Sequence, residues 1–156
     1  FFTVYGPWGR PDMAPMIFAN LIKKNKPIEI YNFGEMSRSF TYIDDVTEVI
    51  EKLINKPAYP DKKFNSYEPN ASSSWCSHRI FNIGNKNKIK ITEFIECLEK
   101  ELGKCATKHF KEMQPGDVVE TLSDNNLINA WIGNTTQTSL AVGMNKFINW
   151  YNSFYS

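Results

Sequence analysis

A chain of 156 residues, 42% hydrophobic and 14% aromatic, can bury a sizeable core and falls outside the disordered class. A net charge of +1 argues against a nucleic-acid or membrane-surface binder, and no apolar run approaches the roughly 18 residues that span a bilayer. Three cysteines are too few for a disulfide scaffold and suit a reducing, cytoplasmic setting.

Phe1 to Tyr5 is apolar and β-prone and predicts a strand. Gly6-Pro7 and Gly9-Arg10-Pro11 then break the backbone twice, so the strand runs into a stiff loop. In open α/β sheets, ligands sit beyond the carboxyl ends of strands, where such a loop lies. An apolar strand needs neighbours, and the expectation is a chain that begins mid-domain. Residues 13–25 predict a helix with Ile17, Phe18, Leu21 and Ile22 on its apolar face, lysines in its last turn, and Pro27 beyond it. Ile28 to Tyr31 reads as a short strand before a turn at Gly34, and Ser39 to Ile43 as a second strand. Asp44 and Asp45 open the next helix as N-cap and first-turn acid, with Val46, Val49, Ile50, Leu53 and Ile54 at helical spacing and Pro57 past its end.

Residues 58–77 are rich in Pro, Asn, Ser and Lys without periodicity and read as a long surface insertion. Arg79 to Ile83 returns as a strand, and 86–90 is a charged, solvated corner. Thr92 caps the following helix, whose Ile95, Leu98 and Leu102 face inward and which Gly103 stops. Residues 107–111 are strand-like, Gln114 to Asp117 is a turn, 124–132 is a short helix, and 140–155 is a last amphipathic helix. Alternating strands and helices give an α/β class with a smaller mixed lobe.

Taken singly, the polar residues have plain readings. Thr3 is a strand former, Arg10 and Arg38 are surface cations, and Tyr31 is a core tyrosine. Arg10 differs in being presented by a stiff backbone, which lowers the entropy cost of ordering its fork on an anion. Cys76-Ser77-His78 and the Cys105…His109 pair lack the paired spacing of a zinc site, so no metal is expected, and Cys97 reads as core. Tyr59 and Lys63 have a Tyr-x-x-x-Lys spacing, but Pro60 between them excludes the helix that would align them.

Three stretches together carry a resemblance: Phe1 through Pro15, Ile28 through Asp45, and Met113 through Val118. They resemble the extended short-chain dehydrogenase/reductase family, and within it the NAD-dependent nucleotide-sugar epimerases acting on UDP-glucuronate. The resemblance covers nearly the whole chain but only the C-terminal half of such an enzyme. It implies a Rossmann-type α/β fold, with residues 1–156 forming a single substrate-binding region and the NAD-binding half lying N-terminal to it. By the same resemblance, Thr3 hydrogen-bonds the sugar carboxylate, Arg10 anchors the nucleotide-sugar, Tyr31 packs on the uracil, Arg38 clamps the diphosphate and Asp117 holds the ribose hydroxyls. Gln114 stands where many relatives carry arginine and the uronate epimerases carry glutamine, which supports that branch and shifts the phosphate clamp onto Arg10 and Arg38.

The family's chemistry is C4 epimerisation through a 4-keto sugar, with NAD taking and returning hydride and a tyrosinate as base, between UDP-glucuronate and UDP-galacturonate. No glycine-rich phosphate turn and no helical Tyr-x-x-x-Lys occur here. The chain alone is therefore expected to bind no NAD and to be inactive, and the strand at Phe1 to Tyr5, short of partners on at least one side, is expected to make it a homo-oligomer or to rearrange its N-terminal segment. The alternatives are a non-catalytic UDP-binding or protein-interaction fragment, and the substrate half of a related dehydratase or reductase.

Overall fold

The computed structural model describes residues 1–155. Its strands form three two-stranded sheets. β1 (Val4–Tyr5) pairs in parallel with β4 (Thr41–Tyr42), and β2 (Ile28–Ile30) in parallel with β6 (Lys108–Phe110). β3 (Ser37–Arg38) pairs antiparallel with β5 (Ile89–Lys90). The helices are α1 (Ala14–Lys23), α2 (Ile43–Ile54), α3 (Ile91–Leu102), α4 (Asn126–Ile132) and α5 (Leu140–Phe154), with a 3-10 turn over Tyr31–Gly34. This is the mixed α/β architecture that the alternation of elements predicts.

The main core forms where α1, α3 and α5 converge on β1, β2 and β4. Phe40 stacks on Phe94 at 4.2 Å between ring centroids, and Tyr5 meets both edge-on. Ala19, Ile22, Ile28, Ile30, Ile95, Leu98, Met144, Phe147 and Ile148 are all buried around them. Each such aliphatic side chain contributes roughly 1.5–3 kcal/mol on burial. α5 comes close enough to β1 that a Cβ on Gly143 would overlap the Tyr5 hydroxyl and lie 3.0 Å from the Tyr42 ring. A second, smaller cluster of Val46, Val49, Ile83 and Ile128 joins α2 to α4.

Helix ends follow their sequences. α1 closes with Asn25 in the left-handed region, Lys26 N–H donating to Leu21 C=O at 2.8 Å. α3 stops at Gly103. The Ser139 hydroxyl accepts from Val142 N–H at the start of α5.

Several expectations are corrected. The first strand is limited to Val4–Tyr5. The predicted strand 39–43 is limited to Thr41–Tyr42: the Ser39 N–H donates to Thr121 Oγ1 at 3.4 Å instead of to a ladder partner, and Ile43 already begins α2. Residues 79–83 form no strand. Phe81 and Ile83 alternate inward as a strand's would, but the neighbouring Gly84 and Asn85 are held by side chains. Asn125 Nδ2 donates to Gly84 C=O, and Asn85 N–H donates to Thr41 Oγ1 at 3.0 Å.

Thr92 does not cap α3, since Lys90 is its N-cap residue, without a side-chain cap. Asp44 likewise lies inside α2, which starts at Ile43, so both aspartates are first-turn acids. Asp45 is buried and accepts from Thr138 N–H at 2.9 Å and from its hydroxyl, tying the entrance of α5 to α2. Ile50 and Ile54 point outward, so α2 buries a narrower face than its spacing predicts.

The segment 58–77 is loop, fastened at its base. Tyr59 stacks on Trp131 at 4.7 Å, and Arg79 lies 5.5 Å from the Trp131 ring and 3.4 Å from the Asp61 carboxylate. Tyr59 is thereby occupied in packing.

Candidate functional site

Four of the residues singled out from the sequence meet at one cavity of about 200 Å³: Thr3, Tyr31, Arg38 and Asp117. They come from the lead-in to β1, the end of β2, β3, and the turn after β6, so the parallel β1–β4 and β2–β6 pairings bring them together. Its apolar wall includes Phe18, Met36, Phe40 and Ile91. A larger depression of about 690 Å³ adjoins it and shares Ala14, Phe18, Glu29, Tyr31 and Asp117 with it. Gln114, His109 and Asp12 line only that second part. The cleft therefore runs from Thr3 and Arg38 at one end, past Tyr31 and Asp117, to Gln114 at the other.

Arg38 is half-buried, and its Nη1 donates to the Ser37 carbonyl at 3.0 Å and the Val119 carbonyl at 3.2 Å. Those two bonds fix the plane of the guanidinium. Its Nε and Nη2 edge has no protein partner among the described residues, and none of their carboxylates forms an ion pair with it. A fixed, uncompensated fork at the rim of an apolar cavity suits an anion with paired oxygens.

Arg10 contrasts with it. It is exposed, lines neither part of the cleft, and donates to Asp12 through Nε at 3.1 Å and through Nη2. The bond from Arg10 holds the Asp12 carboxyl below its usual range.

Tyr31 stands half-exposed at the end of β2, its hydroxyl donating to Glu29 Oε2 at 2.8 Å. That bond raises the phenol pKa and, with Lys111 nearby, lowers that of Glu29. Asp117 closes the turn that begins at Gln114, its N–H donating to the Gln114 carbonyl at 3.2 Å; Gly116 takes the positive φ of 87° that this turn needs. Thr3 lines the cavity while its carbonyl accepts from Thr41 N–H at 2.9 Å.

Sequence reasoning missed Glu29 and the apolar wall. Met36 and Phe40 flank Arg38 at spacing two, a signal that was available. Among the described residues, no group of three His, Cys, Asp or Glu is disposed around a metal, and no helix is long and apolar enough to cross a membrane. The cleft joins a flat ring, a free guanidinium, hydroxyl acceptors and an apolar wall. Those are means of binding and orienting a ligand.

Comparison with known proteins agrees on one family. The sequence model of the NAD dependent epimerase/dehydratase family matches residues 1–84. Protein CapI of Staphylococcus aureus is 43% identical over 155 residues, covering 99% of this chain and 46% of the relative. A probable UDP-glucuronate 4-epimerase of Rhizobium meliloti (strain 1021) is 39% identical, with 99% and 46% covered. The crystal structure of UDP-glucuronic acid 4-epimerase from Bacillus cereus, in complex with UDP-glucuronic acid and NAD, superposes with a TM-score of 0.79 at 30% identity, over 99% of this chain and 44% of that one. The chain thus spans somewhat under half the length of the curated relatives it matches.

Proposed function

The chain belongs to the NAD dependent epimerase/dehydratase family, and from that premise we propose that it is the nucleotide-sugar-binding part of a UDP-glucuronate 4-epimerase-like enzyme. The observation that carries the reading is the meeting of Thr3, Tyr31, Arg38 and Asp117 on one cleft, with the Arg38 fork unpaired. In this reading the sugar lies at Thr3 and the diphosphate at Arg38, both at one end of the cleft, while the ribose at Asp117 and the uracil on Tyr31 lie where its two parts join. Gln114 borders the uridine end. Arg10 would join only by exchanging Asp12 for the ligand.

Gly6 follows β1, but the space beside it is filled by Ile43, 2.6 Å from where a Cβ would sit, so it serves packing and leaves no room for a pyrophosphate. In this reading the hydride acceptor and the proton base belong to the remainder of the parent enzyme, and this chain binds and orients.

Titration calorimetry with UDP should give a Kd on the order of 0.1–1 mM, the range expected of a half-site. The pure chain given UDP-glucuronate and NAD should form no UDP-galacturonate. Turnover would overturn the division of labour, and absence of binding at saturating UDP would overturn the site.

A further inference from the structure

A stacking platform works best if its ring is already oriented when the ligand arrives, because ordering a mobile side chain costs affinity. Ile28 and Ile30 of β2 are buried, so Glu29 and Tyr31 emerge together on the opposite side, and both line the cleft. The backbone beyond Tyr31 is fixed. Asn32 and Phe33 turn through the left-handed region at φ 48° and 50°, Phe33 N–H donates to the Lys111 carbonyl at 3.0 Å, and Glu35 N–H to the Asn32 carbonyl at 2.8 Å. What remains free is the side chain of Tyr31, and its hydroxyl donates to Glu29 Oε2 at 2.8 Å. The other Glu29 oxygen lies 3.7 Å from Lys111 Nζ, just past the strand paired with β2, and Glu29 stands opposite His109 in register.

We propose that Glu29 is a positioning residue for the nucleobase platform: through the Tyr31 hydroxyl it holds the ring in its stacking orientation before ligand binds. This rests on the site assignment above. Glu29 is an exposed carboxylate, ionised at neutral pH, so its bond from the phenol is charge-assisted.

The test is a double-mutant cycle read by UDP calorimetry on the wild-type chain, Glu29→Ala, Tyr31→Phe and the double variant. Each single change removes the same hydrogen bond, so each should weaken UDP by about three- to tenfold and the double by no more than either alone. Glu29→Gln keeps an acceptor and should stay within about twofold of wild type. Lys111→Ala should leave affinity unchanged, its ion pair being exposed.

Additive losses, an unaffected Glu29→Ala, or a loss on Lys111→Ala equal to that on Glu29→Ala would each overturn the proposal. Tyr31→Ala separates the two levels. If it abolishes binding while Glu29→Ala changes nothing, only the positioning role fails. If it changes nothing, or the wild-type chain binds no UDP, the site assignment fails and this inference with it.

Discussion

Arg38→Ala is expected to reduce UDP binding to the limit of detection or below it. A charge-assisted contact to a phosphate contributes about 1.5–3 kcal/mol, so its removal weakens binding roughly ten- to a hundredfold. From a starting Kd on the order of 0.1–1 mM that leaves a Kd of roughly 1–100 mM, at or beyond the limit of calorimetry. Arg38→Lys should not restore it, because a point ammonium cannot reproduce both carbonyl bonds and the free fork edge. Arg10→Ala should change affinity by at most about twofold, since its exposed fork is engaged with Asp12 and does not itself line the cleft. Calorimetry on the three variants reads all of this. A larger loss at Arg10 than at Arg38 would put the phosphates at the other arginine.

The second large effect is on stability and lies at Gly143. Alanine is the better helix former by roughly 1 kcal/mol, so propensity alone predicts that Gly143→Ala stabilises α5. The structure predicts the reverse. The new methyl would overlap the Tyr5 hydroxyl and sit 2.9 Å from Tyr5 Cζ. Tyr5 cannot retreat, being packed against Phe40, Tyr42 and Phe94. Overpacking of that kind costs about 1–3 kcal/mol, which exceeds the propensity gain over most of its range. Denaturant titration should show a net loss for Gly143→Ala and partial recovery on adding Tyr5→Phe, whose own cost is small because the hydroxyl reaches the Leu140 carbonyl only at 3.5 Å. A stabilised Gly143→Ala chain would mean that α5 does not seat on β1 as described.

The legible parts of the molecule are those set by local chemistry. Pro27, Gly103 and the turn at Gln114–Asp117 punctuate the chain as their backbone preferences require. The candidate residues were legible through motif resemblance, and four of them share one cavity. What escaped depends on partners far along the chain. Asp45 looked like an ordinary helix-start acid because nothing near it in sequence announces Thr138, 93 positions away. The stretch 79–83 looked like a strand because inward alternation reports burial and not a ladder, and its neighbours' backbone groups go to Thr41 and Asn125 side chains. Glu29 drew no reading from the sequence for the same reason: a charged residue between two isoleucines carries no mark of the hydroxyl that it holds. Gly143 has no turn signal, and only the tertiary approach of α5 to Tyr5 explains it.

Backbone amide shifts followed through a UDP titration decide whether the Thr3–Arg38–Tyr31–Asp117 cleft is the nucleotide-sugar site. Saturable shifts are expected at Tyr31, Arg38 and the turn from Gln114 to Asp117, with Arg79 and Trp131 unmoved. Saturation that leaves those signals in place, or that moves the loop around Trp131 instead, would contradict that assignment.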